Sequence, residues 1–247
     1  MSQSARTAIV TGASRGIGAA IARRLAADGI QVVVNYATRP EAAEQVVQEI
    51  RLAGGQAYPI LADISDPVAV AVLFDQTEME FGGIDILINN AGVIQPGLVP
   101  LADTDTALFD RLFAINTRGT FNTLKLAATR LRSGGRIVNL SSSVVGMGLP
   151  GYAIYAASKA AVETMSAIFA RELRGRNISV NCVAPGPTAT NLFLEGKPVE
   201  LVERLTRQAP LERLGNPEDI SSLVAFLVGP EGAWVNGQTL RVNGGIV

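Results

Sequence analysis

Seven short runs rich in Val and Ile recur along the chain, separated by longer alanine-rich stretches of helical period. The runs are "TAIVTG" (7–12), "IQVVVNY" (30–36), "QAYPILA" (56–62), "IDILINNAG" (84–92), "GRIVNLSSS" (135–143), "ISVNCVAPG" (178–186) and "GQTLRVNGG" (237–245). They are apolar on both faces rather than alternating, which predicts strands covered by helices on two sides. Between them the spacing predicts helices near 16–28, 41–53, 67–81, 106–131, 153–174 and 217–228. Strand and helix in regular alternation predict an α/β fold, a doubly wound parallel sheet with helices on both faces. No linker or shift of composition divides residues 1–247, so a single domain is expected.

One stretch breaks the rhythm. Residues 187–215, "PTATNLFLEGKPVELVERLTRQAPLERLG", mix exposed apolar residues with turn formers. A long irregular segment beyond a strand end is expected to be either a lid over a site or a surface insertion.

Composition narrows the partners. Hydrophobic residues make up 48% and charged residues 17% of 247, too apolar for a disordered chain. The formal net charge is −1, with no basic run dense enough to grip nucleic acid. No stretch has the length of a membrane span, and the N-terminus shows no signal-peptide core. With one cysteine and no histidine, neither an internal disulfide nor a zinc site is expected. The expectation is a cytoplasmic protein acting on small molecules without a metal.

"TGASRGIG" (11–18) follows the first strand and opens the first helix. Its glycines, Gly12, Gly16 and Gly18, allow a tight turn and a backbone lying close to a ligand at a helix N-terminus, the physics of pyrophosphate binding in Rossmann-type folds. A site for NAD usually carries an acid at the end of the second strand. Here that end reads Asn35-Tyr36-Ala37-Thr38, without one. Arg15 in the loop and Arg39 just beyond the strand offer guanidinium forks for a 2′-phosphate, which favours NADP; Arg39 alone also reads as a solvated charge.

In "PGYAIYAASKAAVE" (150–163), Tyr155 and Lys159 stand four apart, about 40° around one helix, so both can face one bound group. Val162, Phe169 and Leu173 lie near the same stripe, and Glu163, Arg171 and Arg174 are expected on the wet side. That places Lys159 at the border of a buried face. A phenol titrates too high for proton transfer near neutral pH, and a neighbouring ammonium is expected to lower it. Such a pair can serve a carbonyl oxygen where histidine is missing. "NLSSSVVG" brings hydroxyls to the end of a strand, where open α/β sheets build their sites.

The glycine loop, "NNAG" at 89–92, Asn116, "SS" at 141–142, "YAASK" at 155–159 and "APGPTAT" at 184–190 together resemble the short-chain dehydrogenase/reductase superfamily. The resemblance spans essentially the whole chain. It is strongest to the branch of 3-oxoacyl-(acyl-carrier-protein) reductases and NADPH-dependent ketone reductases. It implies Tyr155 as general acid/base and Lys159 as the residue that tunes the phenol and binds the nicotinamide ribose. Ser142, thirteen before the tyrosine, is implied to hold the substrate oxygen. Asn116 is implied to sit at a helix distortion and keep a water in a proton relay. For the cofactor it implies Gly12, Ser14, Arg15, Gly16, Ile17 and Gly18 at the phosphates and Ala37 and Thr38 at the 2′ group. Asp63 and Ile64 would meet the adenine, and Asn90, Ala91 and Gly92 the adenosine ribose. Pro185, Gly186, Thr188 and Thr190 would serve the nicotinamide segment.

The resemblance thus implies NADPH-dependent reduction of a ketone or 3-oxoacyl group. The open alternatives are oxidation of a sugar, polyol or steroid alcohol, and a non-catalytic NADP sensor. Ile94, Met147, Leu149, Tyr152, Leu192 and Phe193 are expected to line a largely apolar pocket. The helices near 106–131 and 153–174 look apolar over more than one face, the second through Ala156, Ala160, Met165 and Ile168. In the resembling family they form a dimer bundle and the C-terminal segment closes a tetramer, so a homotetramer is expected, with a dimer as second choice. Arg130, Arg132, Arg174 and Arg176 read either as a basic rim for an acyl carrier protein or as ordinary charges at helix ends.

Overall fold

The computed structural model describes residues 5–95, 97–195 and 198–247. Among them, seven strands form one parallel sheet in the order β3-β2-β1-β4-β5-β6-β7. The strands are β1 (Thr7–Val10), β2 (Gln31–Tyr36), β3 (Ala57–Leu61), β4 (Ile84–Asn89), β5 (Leu131–Leu140), β6 (Ser179–Pro185) and β7 (Thr239–Val242). The helices are α1 (Gly16–Ala27), α2 (Pro40–Leu52), α3 (Pro67–Phe81), α4 (Thr106–Leu112), α5 (Gly119–Arg130), α6 (Val144–Met147), α7 (Ala153–Glu172), α8 (Asn191–Leu194), α9 (Val199–Gln208) and α10 (Pro217–Val228).

Two apolar layers sandwich the sheet. On one side α1, α2 and α10 pack Ile21, Leu25, Val47 and Val224 against Val10, Val34 and Ile88. On the other, α3, α5 and α7 bring Leu73, Phe74, Leu124 and Ala170 against Ile9, Leu87 and Val180. The central strands β1 and β6 are buried throughout. The edges are not: β3 exposes Tyr58 and Leu61, and β7 exposes Thr239 and Arg241. The expectation of two covered faces therefore holds for the centre and fails at the rims, where no further strand carries helices outward.

The helix boundaries follow local chemistry. Proline opens α2, α3 and α10, where its missing N–H costs nothing. Asp66 and Asp105 accept from the amides of Val68 and Leu108, capping α3 and α4. The stretch expected as one helix over 106–131 is divided by a π-turn, Phe113–Arg118, between α4 and α5. β5 starts at Leu131, four residues before the expected 135, with an irregularity in its pairing to β4 between Ile84 and Ile86.

The order β2-β1-β4 reverses the direction of winding at β1. The crevice beyond the carboxyl ends of β1 and β4 is where such sheets receive ligands. Over it lies the 187–215 segment, which contains α8 and α9 and whose ends meet in a bridge between Thr188 and Gly215. Within it, Gly196 and Lys197 lie outside the described residues. No helix among the described residues is long and apolar enough to cross a membrane.

Candidate active site

The crevice is a single cavity of about 750 Å³. The turn after β1 forms one end. Gly12 has φ +62, and a Cβ on Gly18 would lie 2.4 Å from Asn90 Nδ2 and 2.5 Å from the Gly12 carbonyl oxygen. Asn90 explains the crowding: its amide donates to the carbonyls of Thr11 (2.9 Å) and Gly12 (3.0 Å), bracing the turn against the end of β4. Asn35 braces it from the other side, accepting from Gly12 N at 3.3 Å while its amide donates to the carbonyls of Ile60 and Ala62. Thr11 Oγ1 accepts from the amides of Asn90 and Ala91. The glycine turn is thus fixed from both flanking strands before any ligand arrives.

Arg15 and Arg39 both line the cavity, exposed, with side chains that make no hydrogen bond or ion pair to the described residues. Ala37, Thr38, Asp63 and the buried Ile64 line the cavity as well. Asp63 Oδ1 is engaged by the amide and hydroxyl of Ser65, each at 2.8 Å, which fixes the turn into α3.

The three serines after β5 have separate partners. Ser141 donates to Glu163 Oε1 at 2.5 Å, and Ser143 donates to the Ala184 carbonyl. Ser142 faces the cavity and hydrogen-bonds Tyr155. Glu163 is therefore half-buried beneath the serine turn and not on the wet side of α7, because β5 delivers a hydroxyl to that face.

Lys159 is also deeper than its helical position implied. It is 5% exposed, and its ammonium donates to the Leu140 carbonyl at 2.8 Å. Burial pulls its pKa down to about 8. Burial pushes the Tyr155 phenol up to about 12, partly offset by the Ser142 hydrogen bond. The expected lowering of Tyr155 by Lys159 is absent from this chain alone, since the ammonium is held by the strand carbonyl.

Asn116 sits in the π-turn, fully buried. Its Oδ1 accepts from Val93 N at 2.8 Å, and its Nδ2 donates to the Val93 carbonyl (2.9 Å) and Ser158 Oγ (3.0 Å). The side chain therefore ties α7 and the π-turn to the loop after β4. It does not itself line the cavity, unlike the other expected site residues. Gly16, Ile17, Ser14, Ala91, Gly92, Pro185, Gly186, Thr188 and Thr190 all do, as do Ile94, Met147, Leu149, Tyr152, Leu192 and Phe193.

Beneath the site runs a buried polar chain that sequence reasoning missed. Thr123 donates to Asn89, Asn89 to Asn139, Asn139 to Ser166, and the Cys182 thiol contacts Ser166 at 3.1 Å. Its signal was present: single asparagines inside the apolar runs "IDILIN" and "RIVNL" have to be paired when buried. It links β4, β5 and β6 to α5 and α7.

Three of the four arginines of the expected rim have partners within the chain. Arg130 pairs with Asp75 (2.8 Å) and Glu78 (2.6 Å), and Arg132 with Asp85. Arg176 donates to the carbonyls of Ala128 and Leu131. Of the four, Arg174 alone has no side-chain partner among the described residues.

Known proteins are similar to this chain in sequence and fold. A family model described as enoyl-(acyl carrier protein) reductase matches residues 12–247. The short-chain type dehydrogenase/reductase of Picea abies is 48% identical over 98% of this chain and 92% of its own. The chain belongs to the short-chain dehydrogenase/reductase family. An NADPH-dependent aldehyde reductase-like chloroplastic protein of Arabidopsis thaliana is 46% identical over 98% of this chain and 94% of its own. A crystal structure of a short-chain dehydrogenase from Burkholderia cenocepacia in complex with NADP superposes with a TM-score of 0.92, at 41% identity over 99% of this chain and 98% of that one.

Proposed function

We propose that the protein is an NADPH-dependent carbonyl reductase that converts a ketone or 3-oxoacyl group to the secondary alcohol. One observation carries the reading. Ser142, the one of the three serines that hydrogen-bonds Tyr155, lines with Tyr155 and Lys159 a cavity that also presents a braced glycine turn and two unpartnered guanidiniums. The fit to NADPH rests on that cradle: the turn tolerates no Cβ at Gly18, and the β2 end offers arginines where a 2′-hydroxyl acceptor would be acidic.

Bound NADPH supplies the hydride. Ser142 and Tyr155 hold the carbonyl oxygen, where two donors stabilise the charge that develops as the carbon is reduced. Tyr155, protonated throughout the neutral range, gives that oxygen its proton. The Ser142 hydrogen bond favours the resulting phenolate, and the ammonium of Lys159 stands one helical turn away in the same cavity. Arg15 and Arg39 would hold the 2′-phosphate, and the Gly12–Gly18 turn the diphosphate.

The 187–215 segment is the lid, supported by Leu205 of α9, which is buried and reaches the cavity wall. A homotetramer is supported by apolar side chains left exposed on α5 and α7. The single cysteine, Cys182, is buried and free, which suits a reducing cytoplasm.

The test is a panel of ketones, 3-oxoacyl thioesters and the matching alcohols, followed by nicotinamide absorbance in both directions. Enoyl thioesters belong in it because of the description the family model carries. Ketone reduction faster than alcohol oxidation or enoyl reduction is expected. Tyr155→Phe should lose more than a hundredfold in turnover while still binding NADPH, since only the transferable proton is removed. NADPH binding without turnover of any member would leave a sensor as the better reading.

A further inference from the structure

The substrate end of the cavity holds a second phenol that the carbonyl chemistry does not use. Tyr152 is 6% exposed and stands at the N-terminus of α7, three residues before Tyr155. The two rings are 6.2 Å apart and tilted by 60°. Around them the wall is apolar: Ile94, Met147, Leu149, Leu192 and Phe193. The Tyr152 hydroxyl makes no hydrogen bond to the described residues, yet it is not among the buried atoms sealed without a partner. A phenol so deeply packed normally places its oxygen against a protein partner.

The backbone beneath it is held firmly. The Gly151 carbonyl accepts from Val99 N at 3.1 Å and from the side chain of Gln95, and Tyr152 N donates to the Leu149 carbonyl at 3.2 Å. These bonds join the loop after β4 to the segment before α7, so the ring is positioned before substrate enters. Burial raises the Tyr152 pKa, so the hydroxyl stays a neutral donor, and its proximity is felt at Tyr155.

We infer that Tyr152 is a substrate-binding residue that donates a hydrogen bond to a second oxygen of the substrate, one or two carbons from the carbonyl being reduced. The preferred substrates are then oxygenated carbonyl compounds such as 1,2-diones, hydroxyketones and 3-oxoesters, rather than simple ketones. Phenols at this separation can each reach one oxygen of such a molecule. A site built to bond a second oxygen also discriminates against the analogue that lacks it, because its donor is left unpaired.

This inference rests on the carbonyl-reductase reading, and the experiment separates the two. Steady-state kcat/KM is measured for wild type and Tyr152→Phe on matched pairs: butane-2,3-dione with butan-2-one, and ethyl 3-oxobutanoate with hexan-2-one. Phenylalanine keeps the ring and its packing, and NADPH affinity by fluorescence reports that the fold and cofactor cleft are intact. The preference for the oxygenated member should fall about tenfold in the variant, the loss of one hydrogen bond at a buried site. An equal loss on both members of each pair, or no loss, overturns the role of Tyr152 while leaving the carbonyl-reductase reading intact. A wild type that reduces neither member of either pair overturns both.

Discussion

Lys159 keeps a charge where charge is costly. Its ammonium is buried with one strand carbonyl as hydrogen-bond partner, so it holds its proton less tightly in the folded chain, to about 8, than the ordinary 10.5. Between those two pH values the unfolded chain binds more protons, and the stability contributed by this residue rises with pH. Below pH 8 both states are protonated and the full cost of burial remains. Lys159→Met removes that cost and leaves a pH-independent penalty at Leu140. The stability of Lys159→Met relative to wild type, without cofactor, should therefore fall by about 2 kcal/mol between pH 7 and pH 10. Denaturant titrations at the two pH values measure it, and a difference that does not move with pH contradicts the buried-charge account. Ala37 lines the same cavity as Arg15 and Arg39. Ala37→Asp adds an acceptor for a ribose hydroxyl and repels a phosphate, so NADPH preference should fall by roughly tenfold or more toward NADH. A wild type that already prefers NADH would show that the two arginines do not read a phosphate.

At the scale of elements, the π-turn is what brings α7 and the loop after β4 into one piece. Asn116 satisfies both backbone groups of Val93 and reaches Ser158 on α7. A π-turn widens the helix by one residue, and such turns collect at functional sites. Asn116→Ala should leave the half-buried Val93 amide and carbonyl without their side-chain partner and cost about 1 kcal/mol. Turnover should drop with it, because Val93, Ile94 and Tyr155 all line the cavity. A variant that melts and turns over like wild type would show that the tie is dispensable. The sequence predicts the ends of α2, α3 and α10 within about a residue, since Pro40, Pro67 and Pro217 can occupy only the first helical turn. It does not predict the depth of Lys159 or the burial of Glu163. Both depend on what β5 presents to α7, the Leu140 carbonyl and the Ser141 hydroxyl, and helical periodicity holds no information about a facing strand. The break at 113–118 is only half legible. Asn116 marks an irregularity, but one extra residue barely shifts the apolar repeat of the long helix around it.

For the whole molecule, the apolar surface left by the fold sets the question of assembly. Phe121 on α5 and Ile168 on α7 are 49% and 53% exposed, and Phe109 of α4, also exposed, stacks on Phe113. Trp234, before β7, is 98% exposed. Large side chains left open on two long helices are expected to be covered, as a helix apolar beyond one stripe needs a second buried side. Two separate patches, one on the helices and one near the edge strand, suit two different two-fold contacts and hence a tetramer of closed symmetry. The patches can be addressed one at a time. Phe121→Asp should disrupt the helical contact and yield a species of half the mass or less. Trp234→Ala should weaken only the second contact, leaving dimers. Neither residue lines the cavity, so any loss of turnover would report dependence of the site on assembly. Light scattering across a range of concentrations reads the outcome. A wild-type monomer would show that these side chains stay in water, and a wild-type dimer unaffected by Trp234→Ala would confine assembly to the helical face.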